Sequence, residues 1–420
     1  MKKIFAAVII FLPAMLSIAQ TKISLEDCYE KARENYPLIK QKKYIEQSGE
    51  FNVSNVWKGY LPQLNISGQA TYQSDVTSLP ISFPGVKIES LTKDQYKAVA
   101  DVTQTIYDGG IMNAQADIHK SIAEVDGRKI EIELIKLKER ITQIYFGILL
   151  LDEQYFQTQL VKKDLNSSLD KMNAAFANGT AIKSNVDILQ AELLKTEQRE
   201  IEIKSSGKSF INMLGLLTNQ ELNESQKLEL PASNNFSASE EINRPELSLY
   251  SSQEKLIEDQ NVLATAKILP KAILFFQGGY GKPTLNMLKN EFDWFYIAGA
   301  KLSLPLSNLY TYGNEREINE LNKKSVEAQK ETFILNTKLS LSQQKNEIEK
   351  LNELIAVDEK IISIRISVKE ASKSQLENGV ITSSDFIREL NAEDQAKQNL
   401  AIHKIQLLLA QQNYKLTLGN

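Results

Sequence analysis

The sequence predicts a mainly helical α+β chain made from one unit used twice, in which a pair of strands precedes a very long helix. Three observations predict it. Landmarks recur in the same order about 200 residues apart, period-two runs occupy two matching places, and each run gives way to a sustained helical period.

The duplication is read from paired segments. ENYPLIKQ around Pro37 is answered by INRPELSL around Pro245, and LPQLNISGQATY from Leu61 by LPKAILFFQGGY from Leu269, both at a spacing of 208. Asn178-Gly179 is answered by Asn378-Gly379, 200 residues on. A first repeat at 20–229 and a second at 243–420 follow, with 230–242 as linker because its Pro, Ser and Asn carry no hydrophobic period.

Within the first repeat, Leu64, Ile66, Gly68, Ala70 and Tyr72 alternate with Asn65, Ser67, Gln69 and Thr71, the signature of a strand with one apolar and one polar face. Tyr96, Ala98, Ala100 and Val102 repeat it. Strands are expected at about 62–76 and 94–108, then at about 270–281 and 292–306 in the second repeat. The second pair is less clean, since Phe295 and Ile297 fall on the otherwise polar side with Asp293, Lys301 and Ser303. Polar segments with Gly or Pro, near 74–93 and 282–291, read as the loops between them.

Ile130, Leu134, Leu137, Ile141, Ile144, Ile148, Leu151 and Tyr155 then form a heptad stripe inside a proline-free run, predicting a helix over 111–177 about 100 Å long. Ile334, Leu341, Ile348, Ile355 and Ile362 recur at intervals of seven and predict its counterpart over about 315–377. Asn-Gly ends each long helix, and return helices are expected at about 186–217 and 385–416.

The opening MKKIFAAVIIFLPAMLSIAQ reads as a secretory signal over 1–19, with two lysines, an apolar run and small residues at Ser17 and Ala19. Beyond it no run of 18 apolar residues exists, so an exported chain of this kind is either soluble or crosses a membrane as a β-barrel. Four strands cannot close a barrel, whose smallest form has about 8, so two or three chains would have to pool strands into 8 or 12. The alternatives are a small soluble sheet and a non-transporting periplasmic coiled-coil scaffold. Helices this long are unusual beside a soluble sheet, and a scaffold leaves the alternating strands unexplained.

A net charge of −4 offers no basic face to nucleic acid. HExxH, GxSxG, a Walker loop and CxxC are all missing, which points away from an enzyme, and neither a cofactor nor a metal is expected. The single cysteine, Cys28, reads as a half-buried thiol on a short amphipathic helix, and His119 and His403 as isolated surface positions.

Several segments resemble the TolC-type outer-membrane efflux proteins: ENYP at 34–37, YLPQL at 60–64, VTQTIYDGGI at 102–111, NGTAIKSNVDILQAELLKTEQ at 178–198 and NGVITSSDFIRELNAE at 378–393. The resemblance spans nearly the whole mature chain and rests on order and spacing more than on any one motif. It implies a homotrimer with a 12-stranded outer-membrane β-barrel continued by a periplasmic α-helical coiled-coil barrel, in contact with outer-membrane lipid. It also implies a periplasmic adaptor protein and an inner-membrane pump of RND or ABC type as partners, in tripartite efflux or type I secretion. The gate and docking tips carried over are Asn178, Gly179, Thr180, Lys183 and Asp187 in the first repeat, and Asn378, Gly379, Thr382, Asp385 and Arg388 in the second. Asp385 matches an acidic aperture position, whereas Arg388 stands where a second acid is expected. The first tip reads as two residues longer before Asp187, and for both aspartates the bland role is helix capping or first-turn charge.

Overall fold

A computed structural model describes residues 22–77, 91–223, 226–231, 241–287 and 289–419. The expected signal segment and most of the expected linker lie outside the described residues. The elements are α1 (Leu25–Asn35), α2 (Leu38–Trp57), β1 (Gln63–Tyr72), β2 (Asp94–Tyr107), α3 (Ile111–Ala177), α4 (Lys183–Thr218), α5 (Pro245–Ala266), β3 (Lys271–Lys282), β4 (Asp293–Ser303), α6 (Leu309–Glu377) and α7 (Ser383–Leu418).

The four strands form one antiparallel sheet in the order β1-β2-β3-β4. Registers such as Ile66↔Ala100, Ala100↔Gly278 and Gly278↔Tyr296 bring the even-numbered side chains onto one face. That face carries Leu64, Ile66, Val102, Leu274, Phe276, Trp294, Tyr296 and Leu302, and it is open: Ile66 is 75%, Trp294 77% and Leu302 77% exposed. The odd-numbered face is mostly polar on β1 and β2, with Gln63, Asn65, Ser67, Gln69, Lys97, Asp101 and Thr103. Among the described residues, the outer edges of β1 and β4 have no partner strand.

The strands differ from expectation at their ends. β1 stops at Tyr72, opposite Asp94 where β2 begins, and β4 stops at Ser303 because Pro305, lacking an N–H, cannot extend the ladder. Two helices unforeseen in the sequence, α2 and α5, deliver the chain to the hairpins. The proline landmarks mark their starts: Pro37 precedes α2 and Pro245 occupies its first turn in α5.

The long helices α3 and α6 run for 67 and 69 residues. Near the sheet they pack with α2 and α5, and beyond mid-length with α4 and α7, so four helices pass each level of the chain. Ile130, Leu137, Ile141, Ile144 and Ile148 of the α3 stripe are buried. α6 begins six residues earlier than its sequence suggested, running through Gly313 because the single turn Leu306–Asn308 leads straight into it.

At mid-length, a clamp joins distant segments. Tyr145 is fully buried, and its hydroxyl lies 2.8 Å from the carbonyl oxygen of Ile23 and 2.6 Å from that of Glu229, its proton shared between them. Ile23 and Leu228 pair as a parallel bridge beneath it. α1 closes this cluster, and Cys28, expected to be half-buried, is enclosed within it; burial pushes its thiol up to about 12, so it stays protonated.

The strand-to-helix junction explains the YDGG motif. Buried Asp108 accepts from the backbone N–H groups of Gly110 at 2.9 Å and Met112 at 2.6 Å and from the Tyr60 hydroxyl at 3.1 Å, capping α3. Gly109, at φ +78°, has no room for a side chain: a Cβ would sit 2.8 Å from the Ala266 carbonyl oxygen. Asp108→Ala should therefore lower stability by about 1–2 kcal/mol, as loss of a buried cap that also accepts from the half-buried Tyr60 hydroxyl. Urea unfolding in detergent measures it, and a midpoint equal to wild type contradicts the assignment.

Candidate functional site

The two reversals at the far end of the helices are built alike. Asn178 and Asn378 are the C-caps of α3 and α6, and Gly179 and Gly379 follow at φ +74° and +72°, where glycine avoids the Cβ penalty. Gly179 N–H donates to the Phe176 carbonyl and Thr180 N–H to that of Ala175; Gly379 and Val380 repeat this on Leu376 and Gln375. These are the paired bonds of a Schellman cap, and they satisfy carbonyls the helix end would leave orphaned. Thr180 adds its hydroxyl to Ala175 O at 3.0 Å, and Asn378 donates its side-chain amide to Ser374 O at 2.8 Å.

Both return helices start five residues after the capping asparagine, at Lys183 and Ser383. The expected two-residue difference is therefore absent. Asn185, not Asp187, stands where Asp385 stands, and the aspartate in the sequence had suggested a shifted alignment. Asp187 is exposed in the second turn of α4, too far along to cap it, and Lys183 is exposed at its first position.

The difference between tips is chemical. Thr382 is the N-cap of α7: its hydroxyl accepts from Asp385 N–H at 3.2 Å, and Thr382 N–H donates back to the Asp385 carboxylate at 3.2 Å. This is a complete capping box. Hydrogen bonds from the Thr382 side chain and backbone hold the Asp385 carboxyl below its ordinary range, and Arg388 lies 3.5 Å away. Arg388 also contacts Glu389 at 3.2 Å. At the first tip Ile182 occupies the cap position and forms no such bond.

The tips lie side by side around a cleft of about 910 Å³ whose apolar lining includes Met172, Ile182, Leu376 and Ile381. Lys171 and Glu377 bridge it at 2.5 Å, while Ile182 (64% exposed) and Val380 (70%) face outward.

Above the tips the helices are joined by charge. Lys369, 7% exposed, lies between α3 and α7, 3.1 Å from Asp164, 2.8 Å from Glu370 and 3.3 Å from Glu393, itself 4% exposed. Burial alone would lower its pKa, but the hydrogen bonds to Glu370 and Asp164 and the carboxylate charges raise it. Lys397 holds the other side of Glu393 at 2.8 Å. Arg199 of α4 reaches Asp394 of α7 at 3.1 Å and hydrogen-bonds Gln398.

Higher up, His403 and Asp358 meet at 2.5 Å. Both histidines, expected at the surface, are half-buried, because packing at each level covers much of every helix. Lys369 was missed although a signal existed: it occupies the next place in the series 334, 341, 348, 355 and 362. A lysine at a buried phase calls for buried partners.

The comparisons agree with this geometry. The outer membrane efflux protein family matches residues 28–218. No curated protein sequence matches the chain significantly. Among solved structures it is similar to the outer membrane protein VceC of Vibrio cholerae, with 14% identity, a TM-score of 0.68 and 94% of each chain covered. It is similar also to the Campylobacter jejuni CmeC outer membrane channel, with 13% identity, a TM-score of 0.69, and 94% of this chain and 85% of that one covered. The open state of the Neisseria gonorrhoeae MtrE outer membrane channel gives 14%, 0.71, 94% and 89% in the same order. At such identities the likeness is one of fold: a β-barrel portion joined to an α-helical barrel portion. The matching family is described as one of outer membrane efflux proteins, and two of these solved structures are described as outer membrane channels.

Lys369→Met should destabilise the helical portion by about 2–3 kcal/mol, less than the roughly 3–5 of a fully broken buried pair because Lys397 still holds Glu393. The double change with Glu393→Met should recover more than half of that loss in urea titrations. Equal effects of single and double variants would contradict a buried pair.

Glu200, between Lys204 at 2.8 Å and Lys162 at 3.0 Å, is lowered from the ordinary 4.5 to about 2 by their hydrogen bonds. A depressed acid contributes stability above its unfolded pKa and loses it as pH falls toward the folded one. Glu200→Gln should therefore show a smaller fall in unfolding midpoint between pH 4.5 and 2 than wild type; parallel pH profiles would contradict the pairing.

Proposed function

We propose that the protein is the outer-membrane exit duct of a tripartite efflux or type I secretion system. In this reading, passive transport is gated at the periplasmic helix tips. The observation that carries this is the four-stranded sheet: one continuous exposed apolar face, an opposite face that is polar on β1 and β2, and, among the described residues, two unpaired edges. In lipid every backbone polar group needs a partner, so such a sheet becomes stable there only when its edges close on other copies. Two or three copies satisfy the count, and the resemblance to TolC-type proteins favours a trimer with 12 strands. A non-transporting scaffold gives the apolar face no partner.

The helices, prolonged from the barrel, form the periplasmic conduit in this reading. The paired tips, with Asn178, Gly179, Thr180, Lys183, Asn378, Gly379, Thr382, Asp385 and Arg388, are the gate and the docking end for a periplasmic adaptor, which links the duct to an inner-membrane pump of RND or ABC type. Asp385 serves as cap and, through its charge, as part of the local field at the aperture.

Purified in detergent, the protein should be a trimer by light scattering and form ion-conducting pores in planar bilayers. Asp385→Ala should leave the trimer intact while reducing cation preference. A monodisperse water-soluble monomer would overturn the duct, and unchanged selectivity in the variant would leave Asp385 a cap only.

A further inference from the structure

The polar face of the sheet is polar on one half only. Along β3 and β4 it carries Ile273, Phe275, Phe295 and Ile297, with Val99 of β2 beside them. Both rings reach across onto glycines of the adjacent strand. Phe295 pairs with Gly279 and Phe275 with Gly299, and a Cβ on either glycine would meet the ring at 2.8 Å. Lys97 crosses Gly281 in the same way, 2.9 Å from where its Cβ would be.

This stripe ends in a cation at each side. Lys97 is one pairing row from Phe295 and Lys301 one row from Phe275, about 7 Å along the strands. Among the described residues neither lysine forms an ion pair. The nearby acids are engaged: Asp101 accepts from Gln277 at 2.6 Å, and Asp293 lies 3.8 Å from Lys289.

We propose that this stripe is a contact track for aromatic anions, with the rings stacking the apolar body and Lys97 and Lys301 holding the charged group. It rests on the duct reading, which makes this the bore side. A second copy cannot cover the face, since face-to-face packing would bury Lys97, Asp101, Lys301 and the polar row of β1. Copies join at the sheet edges, so a passing solute is what meets the stripe. Rings seated over glycines occupy space a side chain would otherwise fill, and closure of the barrel by several copies would alternate apolar and polar tracks around it.

The test is single-channel recording with naphthalene-1-sulfonate, with methanesulfonate as the ringless anion and naphthylmethylammonium as the aromatic cation. Wild type should show concentration-dependent blocks by the aromatic sulfonate alone. Phe275→Ser with Phe295→Ser should shorten them about tenfold at unaltered open conductance. Lys97→Gln with Lys301→Gln, a polar change that keeps both rings, should abolish the preference for sulfonate over ammonium. No selective block in wild type, or blocks unaltered in either double variant, overturns the track while leaving the duct intact. Absence of conductance in wild type overturns the duct, and the track with it.

Discussion

Everything in this chain follows from a sheet that cannot be finished by the chain that makes it. Four strands expose unpaired backbone at both edges and a row of leucines, isoleucines and aromatics on one face. Each feature is a liability in water. In the duct reading, lipid would accept the face and other copies the edges. The helices that continue from each hairpin would then be brought together too, and their ordinary-looking mixed surfaces would become walls. The low apolar content of any one helix face is then sufficient, since each level packs four helices per chain.

Packing along the helices changes character with distance from the sheet. Near mid-length the contacts are apolar and closed by the Tyr145 clamp, which binds the segment before α1 and the segment after α4 to the middle of α3. Between that cluster and the tips, heptad positions of α6 hold Asp358 and Lys369, with His403 and Glu393 across the gap, and the tips then close on a second apolar cluster that includes Leu165, Leu189, Phe386 and Leu390. A buried ion pair contributes little net stability against a well-packed apolar equivalent, but it tolerates few alternative registers. The polar pairs therefore add alignment between two apolar clusters that supply the adhesion.

Much of the fold was legible because the chain punctuates itself. Gly109-Gly110 and Asn178-Gly179 bound α3, and the glycine conformations they require leave little choice. The sheet's faces were readable from alternation in β1 and β2, whereas Phe275 and Phe295 obscured it in β3 and β4 until the glycines beneath them were seen across the pairing register. α2 and α5 escaped notice since their stripes are weak, although proline marked both starts. At the tips the aspartates misled. Asp187 looked like a cap by analogy with Asp385, yet capping depends on position within the turn, and Asp187 stands two residues further along its helix.

Equal turn lengths at unequal caps have a mechanical consequence. α7 begins with a reciprocal Thr382–Asp385 box, while α4 follows Ile182, which offers no side-chain cap and only its backbone carbonyl to Asn185 N–H. An N-cap of this type is worth about 1 kcal/mol, so the first turn of α4 unwinds at lower cost than that of α7. Two hinges of identical shape thus differ in stiffness, and any force applied evenly to the end of the hairpins is answered unevenly, with the softer joint in the first repeat.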